Sequence, residues 1–360
     1  MTRPTTAIVD LGALLANYRL ARASAPGSRA LAVVKADAYG HGAVPVARAL
    51  AGEADGFAVA CIEEAQELRD SGITGPLLLL EGVFEPAELR LVDRLGLSQV
   101  VHTREQVQWL LAARPARPVP VWLKIDTGMH RLGFAPETAR EMYATLAAAP
   151  QVASVVLMTH LARADEVAEP ATRRQLERFR ASLGDLRPAV SLANSAGVLG
   201  WPAAHGDWIR PGIMLYGASP FGGDAAQGLA PVMQLTSAII AVRELAAGEG
   251  IGYGARYRCT RPTRVGTVAI GYADGYPRHA VDGTPVAAAG VRTRLIGRVS
   301  MDMVTVDLTD IPDAGIGAPV ELWGRTVAAN EVARHAETIA YQLFTGVSRR
   351  VPRRYLDATD

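Results

Sequence analysis

At 360 residues, the chain has room for one large domain and a smaller one. With 49% hydrophobic and 20% charged residues it can build packed cores, and a formal net charge of +1 gives no electrostatic footprint for nucleic acid or an anionic membrane. Cys61 and Cys259 form no CxxC, residues 1–9 lack the apolar core of a signal peptide, and no apolar stretch is long enough to span a bilayer, so a cytoplasmic protein without disulfides is expected.

In chain order, apolar runs at 30–34, 56–60, 76–80, 97–101, 119–125, 153–158, 189–193 and 208–214 read as strands. Segments of helical period lie between them, among them 43–51, 62–71, 86–95, 103–113, 136–148 and 170–183. Thr103 with Gln106 has the spacing of a capping box, and Pro136 and Pro170 suit helix starts. Eight strands alternating with helices describe an α/β fold, a (β/α)8 barrel over 1–228, with a doubly wound open sheet as the competing architecture. Beyond residue 230, strand-like runs at 235–242, 264–270, 285–289, 293–296, 303–308 and 320–323 follow one another directly, with one helical segment near 328–336. They predict a smaller, mainly β domain over 229–360.

Arginine supplies nearly all the positive charge. Of the 37 basic residues only Lys35 and Lys124 are lysines, and each ends an apolar run. Arginine forks well onto carboxylates and phosphates, but it cannot lose a proton and attack a carbonyl. Two lone amines at the ends of buried strands therefore favour amine chemistry over surface solvation. In a barrel, catalytic groups stand at the C-terminal strand ends. Lys35 ends the first run, Lys124 and Asp126 the fifth and His160 the sixth; Asn194 and Ser195 follow the seventh, and Arg210 and Gly212 belong to the eighth. The last two loops suit a phosphate, held by Ser195 and the amides near Gly212 and Ile213. A lysine at one strand end and a phosphate site elsewhere suggest a Schiff base with a phosphorylated aldehyde. Gly40-His41-Gly42 lacks the spacing of a dinucleotide fingerprint, and His41 reads as structural. His205, His279 and His335 have no metal-ligand spacing, so no metal is expected. The arginine-rich stretch 349–354 reads as a salt-bridged or solvated tail.

Nine motifs carry a resemblance. AVVKADAYGHG (32–42), KIDTGMHRLGF (124–134), MTHLARADE (158–166), ANSAG (193–197), IRPGIMLYG (209–217), GYGARY (252–257), GYADGYPR (271–278), GRVSMD (297–302) and RRVPR (349–353) are similar, in this order, to the alanine racemases across both domains. The resemblance implies pyridoxal 5'-phosphate as cofactor and interconversion of L-alanine and D-alanine by two-base proton transfer. It makes Lys35 the amine that holds the cofactor and one of the two bases. Tyr253 is implied as the other, reaching the partner's site in a homodimer with shared active sites, with His160 and Arg210 tuning its phenol. Arg210 matches the residue at the pyridine nitrogen. Tyr39 and Ser195, with the amides of Gly212 and Ile213, match phosphate-binding positions, and Asn194 beside them is implied as cofactor-binding too. Arg131 matches an arginine near the cofactor's phenolic oxygen and the substrate carboxylate. Lys124 matches a lysine that some members carbamylate. Met301 and Asp302 match residues that reach the substrate end of the partner subunit's site, and Asp165, Tyr272 and Arg298 resemble the entrance gate. Some members have a phosphate-touching tyrosine where this chain has Arg349, which is left without a role. A broad-specificity amino-acid racemase, a decarboxylase and a catalytically silent cofactor carrier are the competing functions. The decarboxylases place an acid where Arg210 stands, and the carriers are single barrels. Making D-alanine as a peptidoglycan precursor and degrading it for carbon use the same chemistry.

Overall fold

The structure, a computed structural model, describes residues 3–223 and 228–357. A first strand, β1 (Thr6–Asp10), precedes a helix at Leu11–Ser24. Eight parallel strands then close on themselves: β2 (Arg29–Val33), β3 (Gly56–Val59), β4 (Leu77–Leu79), β5 (Ser98–Val101), β6 (Val119–Lys124), β7 (Val152–Met158), β8 (Ala189–Ser191) and β9 (Trp208–Ile209). β9 returns to β2 by pairing Trp208 with Arg29 and Ile209 with Ala30, which closes the barrel and removes the open-sheet alternative. Strands buried on both faces explain the near-continuous apolar runs. The eighth strand is shorter than 208–214, because Pro211 has no N–H for a ladder and Ile213–Tyr216 turn into a 3-10 helix.

The helices between strands bury the faces their sequences prescribe. Helix Ala171–Leu183 turns Thr172, Gln175, Leu176, Phe179 and Ser182 inward, at the spacing of one helical stripe. Thr103 caps helix Arg104–Ala112 by accepting the Gln106 N–H at 3.2 Å, while the Gln106 side chain reaches the His102 N–H instead of closing a full capping box. Trp122 and Trp208 pack 5.6 Å apart by ring centroids among the barrel's apolar residues.

The second part of the chain adds β10 (Met233–Leu245), β11 (Gly250–Ile251), β12 (Tyr257–Arg258), β13 (Thr263–Val268), β14 (Pro285–Ala288), β15 (Val291–Arg294), β16 (Val304–Asp307), β17 (Pro319–Trp323) and β18 (Arg353–Leu356). One sheet runs β15-β14-β17-β10-β1-β18, and β13 pairs with both β10 and β16. β1 lies antiparallel to β10 and parallel to β18, so the start of the chain belongs to this sheet. Two compact units result. One holds Tyr18–Ala38 and Ala43–Leu215; the other holds residues 3–17, Tyr39–Gly42 and the described chain from Tyr216 on. This division differs from the boundaries expected at 228 and 229 because β1 finds its hydrogen-bond partners only in β10 and β18. Among the described residues no helix is long and apolar enough to cross a membrane, and no group of three His, Cys, Asp or Glu side chains could hold a metal.

Candidate active site

The C-terminal ends of β2, β6, β7 and β9 bring Lys35, Lys124, His160 and Arg210 within electrostatic reach of one another, and Arg131 joins them from the loop after β6. Glu81, just past β4, supplies an opposing charge to Lys124. Burial pulls the Lys124 ammonium, only 6% exposed, down to about 8, and Arg210, Arg131 and Lys35 push the same way. Burial and the same cations hold His160 well below the ordinary imidazole range, so it is neutral at pH 7. Arg210 falls to about 10 through burial and stays a cation. Its guanidinium is fixed in place: Nη1 donates to Ser191 Oγ, and Nη2 donates to the carbonyls of Thr159 at 2.6 Å and Leu192 at 3.3 Å.

Arg131 is exposed at the tip of a loop that Asp126 organises. The Asp126 carboxylate accepts the N–H groups of Gly128, Met129 and His130 at 3.0–3.1 Å and pairs with His130 Nδ1 at 3.0 Å. These bonds lower the Asp126 carboxyl below its usual range despite its partial burial. After β8, Asn194 caps helix Ser195–Gly200 by accepting the Gly197 N–H at 3.0 Å, and its amide donates to Leu161 O at 3.2 Å. Ser195 Oγ, buried, accepts N–H groups from Gly212 at 2.9 Å and Met214 at 3.3 Å. Asp165 is exposed.

The residues after Lys35 form a left-handed helical turn: Ala36, Asp37, Ala38 and Tyr39 have φ between +51° and +54°. L-residues adopt this conformation at a cost of about 1–2 kcal/mol each, so the surroundings must impose it. The Glu64 carboxylate accepts the Ala36 N–H, and Asp37 accepts the Ala43 N–H, both at 2.7 Å. Tyr39 is buried with its ring stacked on Tyr216 at 4.8 Å, and burial with Tyr341 nearby raises its phenol far above the usual value. His41, fully buried, packs against Tyr216 at 4.5 Å and Phe344 at 5.1 Å, while Nδ1 meets the Tyr39 carbonyl at 3.0 Å.

In the β unit, Tyr253 stands 70% exposed on a short turn between Gly252 and Gly254, both at positive φ. Arg298 adjoins that turn. The Tyr272 and Ala273 N–H groups donate to the carbonyls of Ser300 and Met301 at 3.0 Å, so the loop of Tyr272 is fastened to the loop of Met301 and Asp302. Asp302 accepts from Arg350 at 2.7 Å, and Arg350 also lies 3.4 Å from buried Asp274, which Arg3 clamps at 2.7 Å. Within the arginine-rich stretch Arg350 is thus ion-paired and Arg353 donates to backbone carbonyls, and the stretch leads into β18. Arg349 is exposed.

The profile of the alanine racemase N-terminal domain matches residues 9–220, and that of the C-terminal domain matches 232–355. The chain belongs to the alanine racemase family. An alanine racemase of Chromohalobacter salexigens is 57% identical over 99% of each chain. A catabolic alanine racemase of Pseudomonas putida is 57% identical over 98% of this chain and 99% of its own. The crystal structure of a biosynthetic alanine racemase from Pseudomonas aeruginosa superposes with a TM-score of 0.96 at 52% identity, covering 99% of this chain and all of that one. An alanine racemase from Bartonella henselae, solved with covalently bound pyridoxal phosphate, gives a TM-score of 0.89 at 30% identity over 98% of this chain and 99% of that one.

The barrel-end residues of this family member fit that cofactor. Convergent cations with one opposing carboxylate call for an anionic guest. Ser195 Oγ already accepts two N–H groups, which leaves its own hydrogen to donate to a phosphate oxygen. Several participants escaped sequence reasoning: Thr127, Thr159, Ser191 and Gln175 are all buried polar groups behind the cationic cluster. Gln175 left one clue, a polar residue in the apolar stripe of its helix.

Proposed function

We propose that Lys35 and Tyr253 are the two bases with which this family member interconverts L-alanine and D-alanine, an activity the full-length relatives carry by name. Its cofactor is pyridoxal phosphate. When bound, the cofactor withdraws electrons from the substrate and makes the α-proton acidic. Lys35 would hold the cofactor through its amine, and the same amine moves a proton at one face of the alanine α-carbon. Tyr253 does so at the opposite face. The observation that carries this reading is the strand-end cluster: Lys35 is the half-buried amine among Lys124, Arg131, His160 and Arg210, whose cations lower the cost of holding an anion there.

Ser195, with the amides of Gly212 and Ile213, and Tyr39 hold the phosphate, with Asn194 shaping the Ser195 turn. A neutral Tyr39 phenol is a donor, as a phosphate oxygen requires. Arg210 would lie at the cofactor's ring nitrogen, where a cation that keeps its proton would leave that nitrogen unprotonated and the ring a weaker electron sink. Arg131 binds the substrate carboxylate. Lys124, as an amine that is substantially neutral near pH 8, adds to dissolved carbon dioxide: its nitrogen forms the new bond to carbon, a proton leaves, and the carbamate anion pairs with Arg131. Met301 and Asp302 border the substrate, and Asp165, Tyr272 and Arg298 restrict entry. The barrel acts as the cofactor-binding domain and the β unit as the donor of Tyr253.

The assembly is a homodimer in which Tyr253 serves the partner's barrel. Its support is the resemblance, together with the exposure of Tyr253, Met301 and Met303 at 70%, 52% and 43% on one unit. The compartment is the cytoplasm, where alanine and the cofactor meet. Tyr253→Phe tests the base assignment. With α-deuterated substrates, exchange of the α-position starting from one enantiomer is expected to fall at least tenfold more than from the other; equal, small losses would overturn it.

A further inference from the structure

Gln175 lies outside every motif and on a helix that carries none of the groups assigned above, yet its side-chain amide is buried, 3% exposed, at the tops of two barrel strands. Its three hydrogen bonds go to three different backbone or hydroxyl groups around the site. Nε2 donates to Thr127 Oγ1 at 3.2 Å and to the His160 carbonyl at 3.1 Å, and Oε1 accepts the Ala162 N–H at 2.8 Å. Thr127 belongs to the loop that Asp126 organises and that ends in Arg131. Thr127 Oγ1 also meets Thr159 Oγ1 at 2.8 Å, and the Thr159 carbonyl accepts from Arg210. The loop settles onto Gln175 at Gly128, whose φ is +141° and where an added Cβ would stand 3.4 Å from Gln175 Cγ. One neutral side chain therefore touches the loop of Arg131, the backbone of His160 and, through a threonine pair, the carbonyl that anchors Arg210.

We infer that Gln175 is a positioning residue of the racemase site, setting His160 and the Arg131 loop relative to each other; the inference rests on the roles proposed above for those two residues. An amide is the group this place requires. It offers two donors to two acceptors, Thr127 Oγ1 and His160 O, and one acceptor to one donor. A carboxylate of the same shape would keep only the acceptor, turn a lone pair toward the His160 carbonyl, and add a negative charge beside an imidazole that burial and four cations keep neutral. An apolar side chain would strand all three partners.

The test compares Gln175→Leu and Gln175→Glu with Phe179→Leu, a buried change one turn further along the same helix at a side chain that makes none of these hydrogen bonds. All are assayed as dimeric holoenzyme, with cofactor content read from its absorption band. Gln175→Leu is expected to keep the cofactor and to lower kcat/KM for alanine roughly 10- to 100-fold, the scale at which a displaced catalytic group loses rate. KM should rise as the Arg131 loop loosens. Because the His160 side is disturbed and Lys35 is not, the primary deuterium isotope effects measured from L-alanine and D-alanine should shift in opposite directions. Gln175→Glu should lose at least as much, and it carries the same test if the leucine variant does not fold. Losses no larger than those of Phe179→Leu at equal loss of Tm overturn the inference. If Tyr253→Phe shows no difference between enantiomers, the base assignment falls instead, and the kcat/KM comparison with Phe179→Leu still decides the role of Gln175.

Discussion

The cationic residues at the barrel end differ from one another in what burial does to them. Arg210 remains protonated at about 10, and nothing near it can take its proton. Arg210→Glu should therefore protonate the cofactor ring nitrogen, deepen the electron sink and divert turnover toward transamination. The expected result is a fall in racemisation of roughly 100-fold with measurable pyruvate formation from alanine, followed by lactate dehydrogenase coupling. Lys124 behaves differently, with its pKa drawn from 10.5 to about 8. Below pH 8 the folded protein holds an ammonium it disfavours, so this residue costs stability there; the cost fades as pH rises from about 8 to about 10.5, where the unfolded chain still binds the proton. Carbamylation removes the same cost earlier. Carbon-13 NMR with labelled bicarbonate should show a carbamate signal that grows above pH 8 and is lost in Lys124→Ala; no signal in the parent protein would end that proposal.

The element with the most concentrated strain is the turn at 36–39. Its motif carries the family resemblance in the sequence, but its handedness was not legible: alanine, aspartate and tyrosine carry no code for four consecutive positive φ values. Tertiary bonds from Glu64 and Asp37 impose them. A β-branched residue tolerates this region least. Exposed Ala36, at φ +52°, changed to Val should destabilise the protein by about 1–2 kcal/mol in urea titrations, while Ala36→Gly should cost nothing or stabilise slightly. Strand positions in the barrel were readable because parallel, doubly buried strands write themselves as apolar runs. β1 and β18 were not, since a five-residue strand at one end of the chain shows nothing of its partner at the other. Likewise the residues proposed for the site stood in motifs, whereas Gln175 and Ser191, outside every motif, act through hydrogen bonds that no local pattern announces.

For the whole molecule, the shared-site reading makes a quantitative demand. A homodimer of Lys35→Ala lacks the cofactor amine in both barrels, and one of Tyr253→Phe lacks the second base in both sites. Unfolded together and refolded, they form heterodimers in which one site regains both residues. Random pairing predicts recovery of about a quarter of the parental activity. A site contained within one subunit predicts none, and sedimentation at the assay concentration should show the dimer that the recovery requires.

The pairing of β1 with both β10 and β18 also dictates an order of events during synthesis. Residues 18–215 can close their barrel while the ribosome is still making the rest. The first strand is made before the barrel yet cannot be satisfied until Met233–Leu245 appears, and its second edge waits for Arg353–Leu356, which follow later still. Nascent chains should therefore carry β1 unpaired until Met233–Leu245 and Arg353–Leu356 have been made, and until then it is a template for pairing with other chains.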